Sequence, residues 1–378
     1  MKGCVNKVGA SWGFTIDVEP VNGRRKQKRF GRYKTKKAAE TACNEMLYQR
    51  ENGTYIVPKT ITLKEYLTEW LEDVCKPKLS DTTFDSYTTM VEKHINPALG
   101  NVQLQKLQPI LIQKFYNDKL GIGKDDCEVI LSATSVRYIH SVLRKALNDA
   151  VRLQYIQRSI INMVQPPKAT RHEAKFLTKT DVANMMELIK TEDVYMPVLL
   201  AVGLGLRRGE VLGLQWKDID FEKSSISIKR TYLHCKDDDI KFRDCKTDKS
   251  NRMMIVPNTI MDTLKAQSTK YKELKLFFGQ GFNDYDLVCC RADGKPIAPN
   301  SLNHQFTRTL AKHELPHIRF HDLRHTNASL MLSQGVPMKV ASDRLGHSTI
   351  VLTMDLYSHI DEELQQDAAD KLNSIFAI

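Results

Sequence analysis

GLGLRRGEVLGLQWKDID, residues 203–220, begins in a helical pattern and ends as a strand. The helical character holds to Leu214, and LQWKDIDF, SISIKR and a pair around KFRDCKTDKSNRMMIVP then read as short strands, with a turn near Asp248-Lys249. Helices resume from Asn258 to the end, apart from DLVCC near 286–290. Upstream, Thr178 followed by Asp181 is a capping-box pattern that opens the region. The stretch therefore marks the centre of a mixed α+β domain with a short antiparallel sheet.

Working outward, QPPKATRHEAKF, 165–176, combines a proline pair with charge and no periodicity, and reads as a linker with a boundary near 170. Before it lie four amphipathic patterns: TLKEYLTEWLEDV, DTTFDSYTTMVEKHI, LQPILIQKFYNDKL and SATSVRYIHSVLRKALNDAVRLQYI. Their three- and four-residue apolar spacing predicts a small all-helical domain, with GIGKDDCEVI, 121–130, as a loop between the last two. At the start, ASWGFTIDV alternates as a half-buried strand, Asn22-Gly23 is a hairpin turn, and RRKQKRFGRY is a second strand before a helix from about Thr35. The fold class expected is multidomain and mainly α. It comprises a small β-hairpin-plus-helix domain over 1–58, an all-helical domain over 59–168 and the mixed α+β domain over 169–378.

The chain carries a net charge of +11, which favours a polyanionic partner. Residues 1–60 hold thirteen Lys/Arg against five Asp/Glu. The second strand of that segment supplies Arg24, Arg25, Lys26, Lys28, Arg29 and Arg32, interleaved with Phe30 and Tyr33. A basic ribbon braced by a helix fits a DNA groove, whereas a merely solvated edge strand needs fewer cations. The eight cysteines are scattered and read as reduced thiols. No stretch is apolar enough to span a membrane or to form the core of a secretory signal. A cytoplasmic, nucleoid-associated bacterial protein without a membrane partner is expected.

Four motifs stand out in the third segment. Arg207 and Glu210 lie three residues apart and are expected to share a helical face. CKTDKSNR, 245–252, places Lys246 beside the β turn. HDLRH, 321–325, pairs His321 with Arg324, and DRLGHSTIVLTMDLYSH, 343–359, supplies His347 and, ten residues later, Tyr357. Each alone is weak evidence, but together they have one chemical meaning. Two guanidinium forks suit the non-bridging oxygens of a phosphodiester in a pentacoordinate transition state. A lysine can protonate a departing alkoxide, histidines can donate or move protons, and a tyrosine hydroxyl among cations can be a nucleophile.

The order Arg, Lys, His-x-x-Arg, His, Tyr, in the contexts GLRRGE, KTDKS, HDLRH, LGH and LYSH, closely resembles the tyrosine recombinases, the integrase family of phages and mobile elements. The resemblance covers the whole chain. It implies an arm-type DNA-binding domain at the start, a helical core-binding domain and a catalytic domain. In that domain Arg207, Lys246, His321, Arg324 and His347 activate the phosphate, Tyr357 attacks it, and Glu210 orients the pocket. Lys241 and Lys249 stand close enough in sequence to compete with Lys246 for the acid role. The acidic stretch LHCKDDDIKF, 233–242, is longer than a tight strand connection requires. The family implies integration and excision through a 3′-phosphotyrosyl intermediate at double-stranded DNA attachment sites, a homotetramer, and accessory bending or excision factors.

Three other readings compete. His321, His325, His347 and His359 fall within 39 positions, and the first two have a spacing found in zinc sites. No HExxH is present, however, and Asp322, Asp343 and Asp355 do not complete an obvious ligand set. No metal or other cofactor is expected, and His325 and His359 read as packing or hydrogen-bonding residues. A type IB topoisomerase shares the chemistry, but the separate basic domain argues for an enzyme that holds several DNA sites. A DNA-binding or architectural protein with a decayed pocket is the remaining alternative, and the intact set of residues argues against it.

Overall fold

The computed structural model describes residues 3–21, 24–51, 60–122, 131–168, 176–234, 240–244 and 251–346. Two compact units divide the chain, Met1–Arg171 and His172–Ile378. The first opens with an antiparallel sheet of β1 (Gly3–Val8), β2 (Ser11–Val21) and β3 (Arg24–Tyr33), in that order, followed by α1 (Lys36–Glu51). The sequence pattern predicts only two of these strands. GCVNKV has little apolar alternation of its own, and pairing with β2 along its length, from Gly3↔Ile16 to Val8↔Ser11, makes it a strand. A small core of Phe14, Ile16 and Cys43 lies beneath, with Phe30 stacked on Phe14 at 5.2 Å.

The helical part follows. Thr62 and Glu65 form a reciprocal cap for α2 (Leu63–Glu69), which continues into a π-helical stretch at Trp70–Cys75. After α3 (Asp81–Met90) a second π-helical stretch, Val91–Ile95, leads into α4 (Asn96–Leu99). Pro109 begins α5 (Pro109–Lys119), as a residue without an N–H should. Ser132 caps α6 (Ala133–Arg152), whose Val136, Ile139, Leu143, Ala146, Leu147 and Ala150 recur at helical spacing and are buried. The Trp70 indole donates to Asp149 at 2.9 Å and the Tyr66 hydroxyl to the Ala146 carbonyl at 2.6 Å, so the polar tips of buried rings are satisfied.

In the second unit, the expected Thr178–Asp181 capping box opens α7 (Lys179–Leu188). It is followed by α8 (Tyr195–Leu204), apolar nearly all round and buried, and α9 (Arg208–Gly213). Five short strands come next: β4 (Ile219–Asp220), β5 (Ser225–Ile228), β6 (Arg230–His234), β7 (Ile240–Asp244) and β8 (Arg252–Ile255). They form an antiparallel sheet of order β4-β5-β8 and a separate β6-β7 hairpin. KFRD and RMMI, a pair by sequence pattern, thus belong to different sheets. Phe242 finds its partner in Tyr232, whereas buried Met254 pairs with Ile226 at the main core. The predicted turn at Asp248-Lys249 lies outside the described residues. Of the segment 233–242, Leu233 and His234 close β6 and Ile240, Lys241 and Phe242 open β7, with His234 opposite Ile240, and residues 235–239 lie outside the described ones. DLVCC buries Leu287, Val288 and Cys289 and joins Gln215 by a single bridge. The helices α10 (Asn258–Phe278), α11 (Pro299–Lys312), α12 (Asp322–Ser333) and α13 (Met338–Leu345) follow among the described residues of the unit. The molecule is multidomain and mainly α with small antiparallel sheets, as the sequence predicts.

Candidate active site

Arg207 is placed by the way α8 stops. Gly205 ends that helix in the left-handed region, φ +67°, and a Cβ there would meet Leu345 Cδ2 at 2.4 Å and Asn327 Oδ1 at 2.6 Å. Only glycine makes this turn without strain and steric overlap. The chain then runs extended through Arg207, φ −69° and ψ 150°, which becomes the N-cap of α9 and not a member of the helix. Arg207 and Glu210 therefore meet through capping geometry, not by sharing a helical face as their spacing predicts. The Arg207 N–H donates to Glu210 Oε2 at 3.0 Å and its Nη1 to Oε1 at 2.7 Å. Close packing of α9 on β6 holds the pair in place, since a Cβ on Gly209 would stand 2.3 Å from Thr231 Cγ2.

His321 and Arg324 lie at the start of α12. Buried Asp322 accepts the Arg319 N–H at 2.9 Å and its Nε and Nη2 at 3.0 and 2.8 Å, which fixes the helix entry and with it His321, the N-cap. Arg324, 3% exposed, donates through Nη1 to the Gly205 carbonyl and through Nη2 to the Leu345 carbonyl, both at 2.6 Å. Arg207 Nη2 donates to the Gly346 carbonyl at 2.8 Å, and Arg252 Nε to the Arg344 carbonyl at 2.9 Å. Three consecutive carbonyls at the end of α13, a place where helical acceptors lack partners, thus receive three different guanidinium groups.

Electrostatics make this a site for an anion. Arg207, Arg252 and Arg324 face a single carboxylate, Glu210, which is 2% exposed. Burial would raise the Glu210 pKa, but bonds and charge from Arg252 and Arg207 outweigh it and hold the carboxyl below its usual range. Burial, then the charges of Arg207 and Arg252, push the Arg324 pKa down, as expected where positive charge is in excess. Guanidinium remains charged even so. His321 keeps an exposed edge, yet the protein packed around it and the neighbouring His325, Arg324 and Arg207 lower its pKa to about 4. The His321 and His325 rings meet edge to face at 5.1 Å, and His325 is also shifted down, chiefly by burial.

Of the residues predicted from sequence, Arg207 and Arg324 come together around Glu210 and the end of α13, and the charges of both reach His321. Lys246, Lys249, His347, Tyr357 and His359 lie outside the described residues, and Lys241 occupies β7 opposite Leu233. Arg252 carries no signal in the sequence, because one arginine in a strand among charged residues reads as a surface cation. In the first unit Lys28, Arg29 and Arg32 are exposed on β3. Arg24, Arg25 and Lys26 belong to the same strand by their backbone, and their side chains lie outside the described part of the structure. Tyr33 pairs with Trp12 and Gly31 with Gly13, so Arg32 is the extra residue of a bulge, with φ +84°. A bulge of this kind re-aims a side chain away from the ladder.

Two arginines, Arg324 buried and Arg207 half-buried, steadied by a carboxylate in an α+β domain preceded by a helical bundle and a basic sheet, suit a class of enzymes that act on phosphodiesters. Family comparisons say which. Residues 5–49 match the arm DNA-binding domain, 62–120 the phage integrase N-terminal SAM-like domain, and 175–363 the phage integrase family. The chain belongs to the phage integrase family and is a tyrosine site-specific recombinase, an enzyme that cuts and rejoins DNA. It is 28% identical over 361 residues to a tyrosine recombinase XerC-like protein of Caldanaerobacter subterraneus subsp. tengcongensis, covering 91% of this chain and 90% of the relative. It is 25% identical to the ICEBs1 integrase of Bacillus subtilis, covering 98% and 97%. Among solved structures, the Tn1549 transposon integrase in complex with circular intermediate DNA superposes with a TM-score of 0.66 at 15% identity, over 81% of this chain and 99% of that one. A lambda integrase dimer bound to a COC′ core site gives 0.56 at 18% identity, over 93% of each. At such identities the two structural likenesses speak for the fold.

Proposed function

We propose that this protein integrates and excises a mobile element or prophage by cutting and rejoining double-stranded DNA at attachment sites through a 3′-phosphotyrosyl bond. The observation that carries this is the excess of buried guanidinium over carboxylate around Arg207 and Arg324, which suits a phosphodiester anion. In the proposed step the Tyr357 oxygen attacks phosphorus and the bond to the 5′ oxygen breaks. The departing oxygen takes a proton from Lys246, while His321 and His347 hold or move protons at the phosphate. Arg207 and Arg324 bind the two non-bridging oxygens, where negative charge grows. A 5′-hydroxyl from a partner strand then reverses the step, so the diester bond is conserved and the chemistry requires neither ATP nor metal.

We assign arm-type DNA binding to residues 1–58, with Arg24, Arg25, Lys26, Lys28, Arg29 and Arg32 on the contacting strand, core-site binding to 59–168, and catalysis to 169–378. A lambda integrase tetramer bound to a Holliday junction is among the structural relatives, and a homotetramer on two duplexes, with accessory bending or excision factors, belongs to the same reading. No described helix is long and apolar enough to cross a membrane, in keeping with action on DNA in the bacterial cytoplasm. The test is covalent capture: wild-type protein incubated with a nicked attachment site should give a protein–DNA adduct on a denaturing gel, and Tyr357→Phe should bind the site and give none. An adduct formed by Tyr357→Phe would show that another residue is the nucleophile, and binding by the wild type with no adduct would favour an architectural protein.

A further inference from the structure

Arg252 is a buried cation to which the reaction scheme gives no part. It opens β8, its side chain is 8% exposed, and its fork lies along Glu210, with Nη1 3.2 Å from Oε1 and Nη2 3.0 Å from Oε2. Glu210 in turn accepts both the backbone N–H and Nη1 of Arg207. The third Arg252 nitrogen, Nε, donates to the Arg344 carbonyl at 2.9 Å. Arg344 answers through Nη2, which donates to the Ile255 carbonyl at 2.9 Å. The strand β8 and the last turn of α13 therefore clasp each other in both directions, two residues before Gly346, whose carbonyl binds Arg207 and which His347 follows in sequence.

Charge compensation alone does not explain this arrangement. Arg207 already neutralises Glu210, and burying a second cation against the same carboxylate adds a desolvation penalty. What a second guanidinium adds is geometry. A planar fork with a third donor fixes the carboxylate and a helix end at once, which an ammonium group cannot do.

We propose that Arg252 is a positioning residue for DNA strand cleavage: through Glu210 it sets Arg207 against the scissile phosphate, and through the Arg344 carbonyl it holds the end of α13, whose Gly346 carbonyl binds Arg207 as well. It acts without touching the reacting atoms. The proposal rests on the assignment of Arg207 to the phosphate made above.

The test uses full-length wild-type protein, Arg252→Lys and Arg252→Gln on nicked core sites carrying either the natural diester or a methylphosphonate at the cleavage position. A methylphosphonate lacks one charged non-bridging oxygen, and so lacks part of the charge that Arg207 stabilises. On the diester both variants should cleave roughly 10²-fold more slowly than wild type, the loss typical of a misplaced transition-state donor. Affinity for core-site DNA should stay within about threefold, because the interaction is made in the transition state. On the methylphosphonate the deficit should shrink to less than about tenfold, since less charge is left to stabilise. Arg252→Lys keeps a positive charge beside Glu210, so it carries the comparison if Arg252→Gln fails to fold. Cleavage of the diester by Arg252→Lys at nearly the wild-type rate would overturn the proposal. Equal losses on the two substrates would do so as well, because a purely structural role does not sense the charge of the phosphate. Absence of any wild-type adduct would overturn the cleavage reading itself, and this one with it.

Discussion

Arg207 and Arg324 each divide a guanidinium between a backbone carbonyl at the end of α13 and the pocket. A lysine at either position keeps the charge and loses the fork. Arg207→Lys and Arg324→Lys should therefore each lower single-turnover cleavage by about 10²–10³-fold, corresponding to about 3 kcal/mol of transition-state stabilisation. Core-site affinity should change little. Cleavage near the wild-type rate in either variant, measured on a nicked site, would remove that arginine from the clamp. His321 supplies a pH dependence whose sign can be stated. Its folded pKa, about 4, lies below its usual 6.5, so the folded protein prefers the neutral ring. The associated stability is present above about pH 6.5 and is lost as pH falls towards 4, while the exposed edge of the ring limits its size. Melting temperature measured across that range should drop less steeply in His321→Gln than in the wild type. A bound DNA phosphate should raise the His321 pKa and reduce the same slope. Parallel curves for wild type and variant would assign the acid sensitivity elsewhere.

At the scale of elements, the pocket depends on where helices stop. Gly205 ends α8, Arg207 precedes α9, and three carbonyls at the end of α13 receive arginines from three places in the sequence. Gly205→Ala would force a Cβ into the left-handed region and against Leu345 and Asn327. A loss of about 1–3 kcal/mol in unfolding free energy is expected from strain of that kind, readable by denaturant titration. Cleavage should fall further than stability alone explains, because the Gly205 carbonyl anchors Arg324. Unchanged stability and cleavage would mean that the turn relaxes freely. Most helices are legible as apolar periodicity, and the Thr178–Asp181 cap as a local pattern, because both depend on neighbours within a turn or two. The strand β1 is not, and neither is the separation of β7 from β8, because pairing partners are chosen by residues distant in sequence.

For the whole molecule, positive charge and chemistry occupy different segments: the basic strand β3 belongs to the first unit and the arginine pocket to the second. The small core of Phe14, Ile16 and Cys43 is a cluster of its own, distinct from the helical core that follows it in the first unit and from the core of the second. Neutralising Arg24, Arg25, Lys26, Lys28 and Arg29 together should spare cleavage of a short core site and abolish recombination that needs flanking arm sequences. For each DNA phosphate that the variant no longer neutralises, the log–log salt slope of binding should fall by about 0.9. Equal affinity of both proteins for arm-containing DNA across a salt series would return β3 to the role of a solubilising edge. Residue types in order, Arg207, Lys246, His321, Arg324, His347 and Tyr357, point to phosphodiester chemistry in the sequence, because such a reaction draws on a short list of side chains, and the contexts around them carry the resemblance to the tyrosine recombinases. The sequence likewise determined the mainly helical, multidomain character through local periodicity. Only the tertiary structure decided that Arg207 is a cap and not a helical face residue, that Glu210 is shared, and that Arg252 reaches both Glu210 and α13. Burial and hydrogen-bond partners across forty to one hundred and forty residues come from the packing of α8, α9, β8, α12 and α13 together, and no spacing within one segment encodes them.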